Sequence, residues 1–243
     1  RMIARSAHVP LLEPSDSEEA KEFIKFAYEI SEKYDTPVIL RTTTKLSHSQ
    51  GIVKLSERIV PEDKVYEKDI KKYVMMPSSA VGRHVVVEAR EKKIAKDASS
   101  FPINKVEYND KKIGFITAGI PYQYVKEVCP SASVLKLGII NPLPADLIKD
   151  FAKNVEEIYV FEELEPVIEE QVRALGIQVK GKEFFTRQGE YSANLLKSVL
   201  YGKDDRVFES ENVPARPPIL CPGCPHRSVF SVLNKLKIHA AGD

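Results

Sequence analysis

The chain has 243 residues, of which 43% are hydrophobic and 29% are charged, and its formal net charge is +1. This composition describes a globular chain and argues against nucleic acid as a partner, because no long basic run is present. No apolar run approaches the ~20 residues of a membrane span, and three cysteines do not suit a secreted disulfide scaffold. We therefore expect a cytoplasmic protein that has no membrane segment.

The first predicted unit is a β/α unit that ends in a polar loop. Ser15 and Glu18 have the spacing of a capping box, which predicts the start of a helix. The apolar face of that helix is predicted to contain Ala20, Phe23, Ile24, Ala27 and Ile30. Residues 38–40 predict a short buried strand, whose parallel partners we expect before residue 1.

Residues 41–49, RTTTKLSHS, follow the carboxyl end of this strand, where open α/β sheets place ligands. Arg41 is the candidate for a bidentate contact with a substrate carboxylate. The three threonines that follow it and His48 offer hydroxyls and an imidazole. An ordinary capped loop, in which Arg41 bridges subunits, is the alternative interpretation.

The middle of the chain predicts one irregular and one regular region. Residues 61–110 are interpreted as an insertion and linker with one helix near residues 82–98. Beyond them, strands alternate with helices over residues 111–201, which predicts a parallel α/β sandwich. Its strands are predicted at 113–117, 134–138 and 157–161, and its last helix is expected to end at Gly176. Glu162 and Glu163, at the end of the last strand, could form an acid/base pair, but a role in structure or at an interface is favoured. Cys129, among apolar neighbours at a helix end, is interpreted as a buried small hydrophobic residue.

Residues 202–219 are polar and rich in proline, which predicts a linker, and a third unit follows in residues 220–243. It opens with LCPGCPHRSVF, in which Cys221 and Cys224 flank a Pro-Gly turn. Two thiolates at this spacing can bind a metal ion or one iron of a cluster, but they supply two of the four ligands that such a site needs. A thioredoxin-like dithiol and plain structural cysteines are the alternatives.

Three stretches together resemble a known family. They are AHVPLLEPSDSEEAKEFIKFAYEISEKYDTPVILRTTTKLSHS, the unit from GFITAGIPYQYV through NPLP to YVFEELEP, and RPPILCPGCPHR. The family is that of the large, thiamine-diphosphate-carrying subunit of indolepyruvate ferredoxin oxidoreductases. The first and last stretches are specific, whereas the middle one resembles the C-terminal domain of transketolases, which many thiamine enzymes share.

The resemblance implies an α/β, thiamine-enzyme-like chain with five segments. These are the C-terminal part of a pyrimidine-binding domain (1–60), an insertion and linker (61–110), a complete transketolase C-terminal-like α/β domain (111–201), a linker (202–219) and the start of a diphosphate-binding domain (220–243). The chain is then a central fragment of the subunit. Because the family's cofactor-activating glutamate and magnesium ligands would lie outside it, we expect it to be inactive alone and to hold no complete cofactor.

The resemblance also implies an activity, cofactors and partners. The activity is oxidative decarboxylation of aryl 2-oxo acids such as indolepyruvate to acyl-CoA and CO2, with ferredoxin as the electron acceptor. The cofactors are thiamine diphosphate with Mg²⁺ and [4Fe-4S] clusters. The partners are a smaller beta subunit, ferredoxin, coenzyme A and the 2-oxo acid. A related oxidoreductase for another 2-oxo acid and a non-catalytic α/β module are the alternatives.

Four residues near the C-terminus take roles from the resemblance. Cys221 and Cys224 would ligate half of a [4Fe-4S] cluster close to the thiamine diphosphate. His226 would face the cofactor or the substrate, against the alternative of a solvent-exposed histidine at a helix N-terminus. Arg227 would contact an anion of the cofactor with help from the helix N-terminus, against the alternative of a solvated arginine.

Overall fold

The computed structural model describes residues 1–58, 60, 65–202 and 219–240. The chain divides into two compact units, Arg1–Asp205 and Arg206–Asp243. Most of the predicted linker, residues 203–218, lies outside the described residues, and the predicted domain boundaries stay predictions. No helix within the described ranges is long and apolar enough to cross a membrane.

Seventeen helices and strands are assigned within the described residues. The helices are α1 (Met2–Ala7), α2 (Ser17–Tyr34), α3 (Thr44–His48), α4 (Ile70–Tyr73), α5 (Pro77–Ala98), α6 (Pro121–Val128), α7 (Ala145–Lys153), α8 (Val167–Ala174), α9 (Ala193–Tyr201) and α10 (His226–Lys235). The strands are β1 (Leu11–Leu12), β2 (Ile39–Leu40), β3 (Lys105–Glu107), β4 (Asp110–Ala118), β5 (Ala132–Leu137), β6 (Ile139–Asn141) and β7 (Glu157–Phe161).

The larger sheet has the strand order β3-β5-β4-β7. Its central strand β4 pairs in parallel with both neighbours, so that Phe115 lies opposite Val134 on β5 and Tyr159 on β7. The parallel pairing predicted for these three strands is confirmed. An antiparallel edge strand, β3, completes the sheet beside β5.

Both faces of this sheet are buried, as a parallel sheet requires. On one face, Ile116, Leu135 and Val160 belong to a core that includes residues of α7 and α8. On the other face, Phe115, Val134 and Tyr159 belong to a core with α6 and α9, in which the ring of Phe161 stacks on Tyr191 at 4.8 Å. Helix α8 is followed by Gly176 at φ +82°, so the predicted glycine at its end is confirmed.

The smaller sheet has the strand order β2-β1-β6. Here β1 pairs in parallel with β2, with Leu11 opposite Ile39, and antiparallel with β6. Strand β1 thus supplies a parallel partner for β2 within the chain, which was not predicted from the sequence, whereas further partners from before residue 1 stay a prediction. Both residues of β2 are half-buried and not buried. Since β6 follows β5 after a single residue, the N-terminal β/α unit is attached directly to the larger sheet.

Helix α2 begins one residue later than the predicted capping box requires. Its N-cap is Asp16, whose carboxylate accepts a hydrogen bond from the backbone N–H of Glu19 at 2.8 Å. Ser15 is buried instead, and its hydroxyl donates to Glu19 at 2.7 Å. The predicted apolar face is correct at three positions, but Ile24 is 42% exposed and Ala20 is half-buried. Glu19 occupies the buried face in their place.

Glu19 is buried because it meets two lysines of the larger sheet. The ammonium of Lys136, a fully buried residue of β5, contacts one carboxylate oxygen of Glu19, and that of Lys105 lies 2.8 Å from the other. The Lys136 ammonium also lies 4.6 Å from the centre of the Phe23 ring. This cluster joins α2 to the sheet through a buried pair, Glu19 and Lys136, and a half-exposed lysine, Lys105.

The same cluster predicts an acid-sensitive contribution to stability. Burial raises the pKa of Glu19, but Lys136 and Lys105 outweigh it and lower that pKa from 4.5 to about 2. A carboxylate whose pKa is lower in the folded state stabilises the fold above its unfolded pKa and loses this effect as the pH falls. We expect Glu19→Gln to lose less stability than the wild type between pH 4.5 and pH 2, measured by urea unfolding. Parallel losses in the two proteins would contradict the assignment.

Candidate functional site

A cleft of about 280 Å³ opens beyond the carboxyl ends of β2 and β7. This is the place where open α/β sheets bind ligands, so its position agrees with the prediction made for the loop after β2. The cleft is lined by Arg41, Thr42, Thr43, Thr44, Lys45, Glu163, Leu164, Gly189 and Glu190. The sequence had singled out the first four of these residues. His48 is exposed at the end of α3 and is not among the lining residues.

Short-range hydrogen bonds give the lining loop its shape. The hydroxyl of Thr43 caps α3 by accepting a bond from the backbone N–H of Leu46 at 3.3 Å. Lys45 holds the opposite wall: its ammonium donates to the backbone carbonyl of Tyr191 at 2.5 Å and lies 3.5 Å from the carboxylate of Glu190. Hydrogen bonds at Thr43 and Lys45 therefore hold the loop in place, with its three threonines along the wall of the cleft.

A buried network of charges lies behind the cleft. Arg1 binds Glu13 through two nitrogens, each at 2.7 Å, and binds Glu162 through its third at 2.5 Å. Arg41 approaches the same carboxylate, with one nitrogen 3.2 Å from Glu13. Burial raises the pKa of Glu13, but Arg1 and Arg41 outweigh it, so that the pKa is lowered and the carboxylate stays charged.

Glu162 has a structural role in this network. Its carboxylate accepts the backbone N–H groups of Ile168 and Glu169, in the first turn of α8, at 2.9–3.0 Å. Burial raises the pKa of Glu162 more than Arg1 lowers it. The neighbouring Glu163 accepts the backbone N–H of Tyr191 at 3.0 Å. Both carboxylates are occupied by contacts within the chain, in agreement with their assignment to structure.

Two cationic side chains line the cleft, Arg41 and Lys45, and the ammonium of Lys45 is already held by Tyr191 and Glu190. Arg41 therefore stays the candidate for contact with a ligand. Its side chain is 25% exposed, whereas that of Arg1 is 8% exposed and enclosed by two carboxylates. Glu13 contacts one guanidinium nitrogen of Arg41 from behind, which orients the group while other N–H donors stay available. Glu13 has no local sequence signal beyond its position directly after β1, because its role depends on Arg1, twelve residues away.

The second unit contains the cysteine turn. The backbone N–H of Cys224 donates to the carbonyl of Cys221 at 3.0 Å, and Gly223 takes a φ of +80°, which glycine adopts without strain. Helix α10 begins directly afterwards at His226, whose Nδ1 lies 3.4 Å from the sulfur of Cys224. A guanidinium nitrogen of Arg227 lies 3.4 Å from the carbonyl of Leu220.

This turn fits one half of a cluster site. Cys221 is exposed and Cys224 is half-buried, so both thiols can reach a ligand, and the short turn keeps them close together. Within the described ranges, no three His, Cys, Asp or Glu side chains converge as a metal site would require. The two thiols by themselves could supply two of the four ligands that a cluster needs. Cys129, by contrast, is buried with its sulfur 3.6 Å from the Tyr201 hydroxyl, as expected for a structural cysteine.

The fold of the chain is similar to that of a solved ferredoxin oxidoreductase. The chain matches part of a solved 2-oxoglutarate:ferredoxin oxidoreductase from Magnetococcus marinus, which has 2-oxoglutarate, coenzyme A and succinyl-CoA bound. The TM-score is 0.53 at 14% sequence identity, and the match covers 78% of this chain and 42% of that one. At this identity the likeness shows the fold alone, and it confirms the fold class predicted from the sequence.

The sequence relatives are more specific. Indolepyruvate oxidoreductase subunit IorA of Thermococcus kodakarensis is 37% identical over 268 aligned residues, which cover 97% of this chain. The same subunit of Methanothermobacter thermautotrophicus is 35% identical and covers the whole chain. The chain is thus a relative of these IorA subunits over nearly its entire length, and the predicted resemblance is confirmed. It spans 41% and 43% of the length of these two relatives. No family model matches the chain.

Proposed function

We propose that the chain is part of a 2-oxoacid:ferredoxin oxidoreductase that oxidatively decarboxylates aryl 2-oxo acids such as indolepyruvate. The products are CO2 and acyl-CoA, and ferredoxin receives the electrons. One observation carries this proposal: the IorA subunits are 35–37% identical to the chain over 97% of its length or more. Their name as subunits supports a smaller partner subunit for this chain.

Thiamine diphosphate, held with Mg²⁺, would supply the carbanion chemistry of the decarboxylation. In this proposal His226 and Arg227, on the first turn of α10, face that cofactor. Cys221 and Cys224 hold one side of a [4Fe-4S] cluster. Arg41 binds the carboxylate of the 2-oxo acid, while the threonines beside it offer hydroxyl donors in the same cleft.

The proposed activity can be tested on the full-length subunit purified with its smaller subunit. The assay contains indolepyruvate, coenzyme A and a viologen dye as the electron acceptor. We expect aryl 2-oxo acids to give the highest kcat/KM. A higher kcat/KM for an aliphatic 2-oxo acid would assign the chain to a related oxidoreductase, and a native gene product near 27.4 kDa without iron would favour a non-catalytic module.

Substitution of Arg41 by alanine in the full-length enzyme should raise the KM for indolepyruvate roughly ten- to a hundredfold. The reason is the loss of a charge-assisted contact to a carboxylate, which is worth about 1.5–3 kcal/mol. The KM for coenzyme A should not change. Arg41→Lys is the matched control, because it keeps the charge but loses the two-pronged contact, and it should give a smaller increase. Unchanged values of KM and kcat in Arg41→Ala would assign this residue to structure.

The 243-residue chain by itself should show no turnover in the same assay. The resemblance assigns the glutamate that activates the cofactor and the magnesium ligands to other parts of the subunit, and preorganised electrostatics supply much of an enzyme's rate. Turnover comparable to that of the full assembly would refute this expectation, whereas heat-stable folded protein without activity would agree with it.

A further inference from the structure

Helix α5 presents two different solvent-facing surfaces along its length. Near its C-terminus, Ile94 and Ala98 are buried against the chain, and the opposite side carries the exposed Lys92 and Lys96. This is the ordinary pattern of a helix that packs on one side. The same outward side of the N-terminal half is apolar or small. We call it the α5 outer face; it consists of Ser78, Val81, Gly82, Val85 and Ala89, all of them exposed.

The α5 outer face is too apolar for a surface that only meets water. Val81 is 74% exposed and Val85 is 67% exposed, and they lie one helical turn apart. The residues just before α5 add further exposed apolar side chains, among them Tyr73, Met75 and Met76. Aromatic residues and methionine are enriched in protein interfaces, and contiguous apolar patches on soluble chains mark such interfaces.

Gly82 gives an independent indication that another chain approaches here. It lies inside a 22-residue helix, where glycine is a poor choice compared with alanine. A side chain at this position would meet no atom of the described chain within 4 Å, so packing within the chain does not require glycine. A glycine between Val81 and Val85 instead opens a notch into which a partner's side chain or backbone fits.

The charges around the α5 outer face indicate what kind of partner it fits. The exposed cations beside this face are Lys92, Lys93 and Lys96. Arg83 and Arg90 are half-buried and contact Asp35 instead. The acids of residues 83–96 are Glu88, which pairs with His84 at 3.2 Å, and Glu91. One of these acids, Glu91, is engaged by His8 at 2.6 Å. A second copy of the same face would bring like charges together, whereas a partner with an acidic rim would complement them.

We propose that the α5 outer face is the docking surface for a different protein chain, whose contact region is apolar with an acidic rim. This inference rests on the proposed function, which supplies the candidate: the smaller subunit of the same oxidoreductase. An apolar helix or strand of that subunit lies along α5 over about 18 Å, the length of twelve helical residues, and its most prominent side chain fills the notch at Gly82. Acidic residues beside it meet Lys92 and Lys96.

The test uses the full-length subunit coexpressed with the smaller subunit, which carries the purification tag. Val85→Glu places a charge in the apolar surface, and Gly82→Leu fills the notch without a charge. Tyr28→Glu is the matched control, because Tyr28 is also on a helix and its exposure, 68%, equals that of Val85 within one per cent. We expect both α5 variants to reduce the recovered large subunit at least tenfold and the control to leave it unchanged.

Gly82→Leu distinguishes a loss of docking from misfolding, because this variant is not expected to destabilise the large subunit. Leucine is a better helix former than glycine, so this variant should keep or raise the melting temperature of the large subunit alone. Full recovery of both α5 variants with the smaller subunit overturns the proposal. The proposal is also overturned if sedimentation shows that the α5 variants dissociate a pair of large subunits while the smaller subunit stays bound, because the face would then join two copies of the large subunit. An intact wild-type assembly that turns over no 2-oxo acid would refute the proposed function and leave the docking surface standing.

Discussion

Replacing Glu19 by glutamine is expected to lower the free energy of unfolding by about 3–5 kcal/mol, the usual cost of leaving a buried charge without its partner. Lys136 has no exposed surface, and its ammonium is held by the carboxylate of Glu19. The amide of glutamine keeps the shape of the side chain but removes the negative charge. Lys136 must then stay charged without compensation or lose its proton, and either outcome costs free energy.

The size of this effect can be checked by urea or guanidinium unfolding near pH 7. Glu22→Gln is the matched control on the same helix, because Glu22 is exposed and pairs with Lys25 at 3.0 Å at the surface. Surface pairs contribute about 0–1 kcal/mol, so this variant should unfold almost like the wild type. A double variant, Glu19→Gln with Lys136→Met, should recover part of the lost stability, because it removes both charges. Equal, small losses in the two single variants would show that the buried pair is not needed for stability.

Replacing Cys221 and Cys224 together by serine should remove one whole cluster from the full-length enzyme. Under the proposed function these two residues supply half of the ligands of a [4Fe-4S] cluster, and half a ligand set does not hold one. We expect a loss of about four irons per large subunit, together with one electron paramagnetic resonance signal. The turn itself should survive, because the φ of +80° at Gly223 and the hydrogen bond from Cys224 to Cys221 involve the backbone.

Cys129→Ser is the control for this experiment. Cys129 is 7% exposed and packs in the core between α6 and α9, so its replacement should leave the iron content unchanged. Iron at the wild-type level in the double variant would make the cysteine turn a structural feature. The N-terminus of a helix stabilises thiolates, and the two cysteines lie just before α10. Their position is therefore suited to the role of anionic ligands that a loss of iron would demonstrate.

The regular part of the chain could be predicted because its information is local. Strands β4, β5 and β7 are apolar runs bounded by turn residues, and the helices between them have an apolar face at a period of 3.6 residues. A strand, a helix and a second strand with short connections favour parallel pairing, because the helix carries the chain back to the end of the sheet at which the first strand began. The rule that such sheets bind ligands at the carboxyl ends of their strands predicted a site at the polar loop after β2, and a cleft lies there.

Other features depended on the tertiary structure. Nothing local to SVLKL shows that Lys136 is buried, because its partner Glu19 lies 117 residues away. The position of β2 beside β1, and of β1 beside β6, joins short strands whose pairing has no pattern of its own. Arg1, Glu13 and Glu162 likewise come together only after folding.

The sequence by itself determined the class of fold, the resemblance to the oxidoreductase subunit, and the loops in which chemistry was to be sought. The tertiary structure decided which side chains of the loop after β2 face the cleft. Arg41 does so with Glu13 behind it, whereas His48 is turned out to the surface. The physical reason is that periodicity and turn residues act over a few positions, while buried charges are placed by partners from distant parts of the chain that must neutralise them.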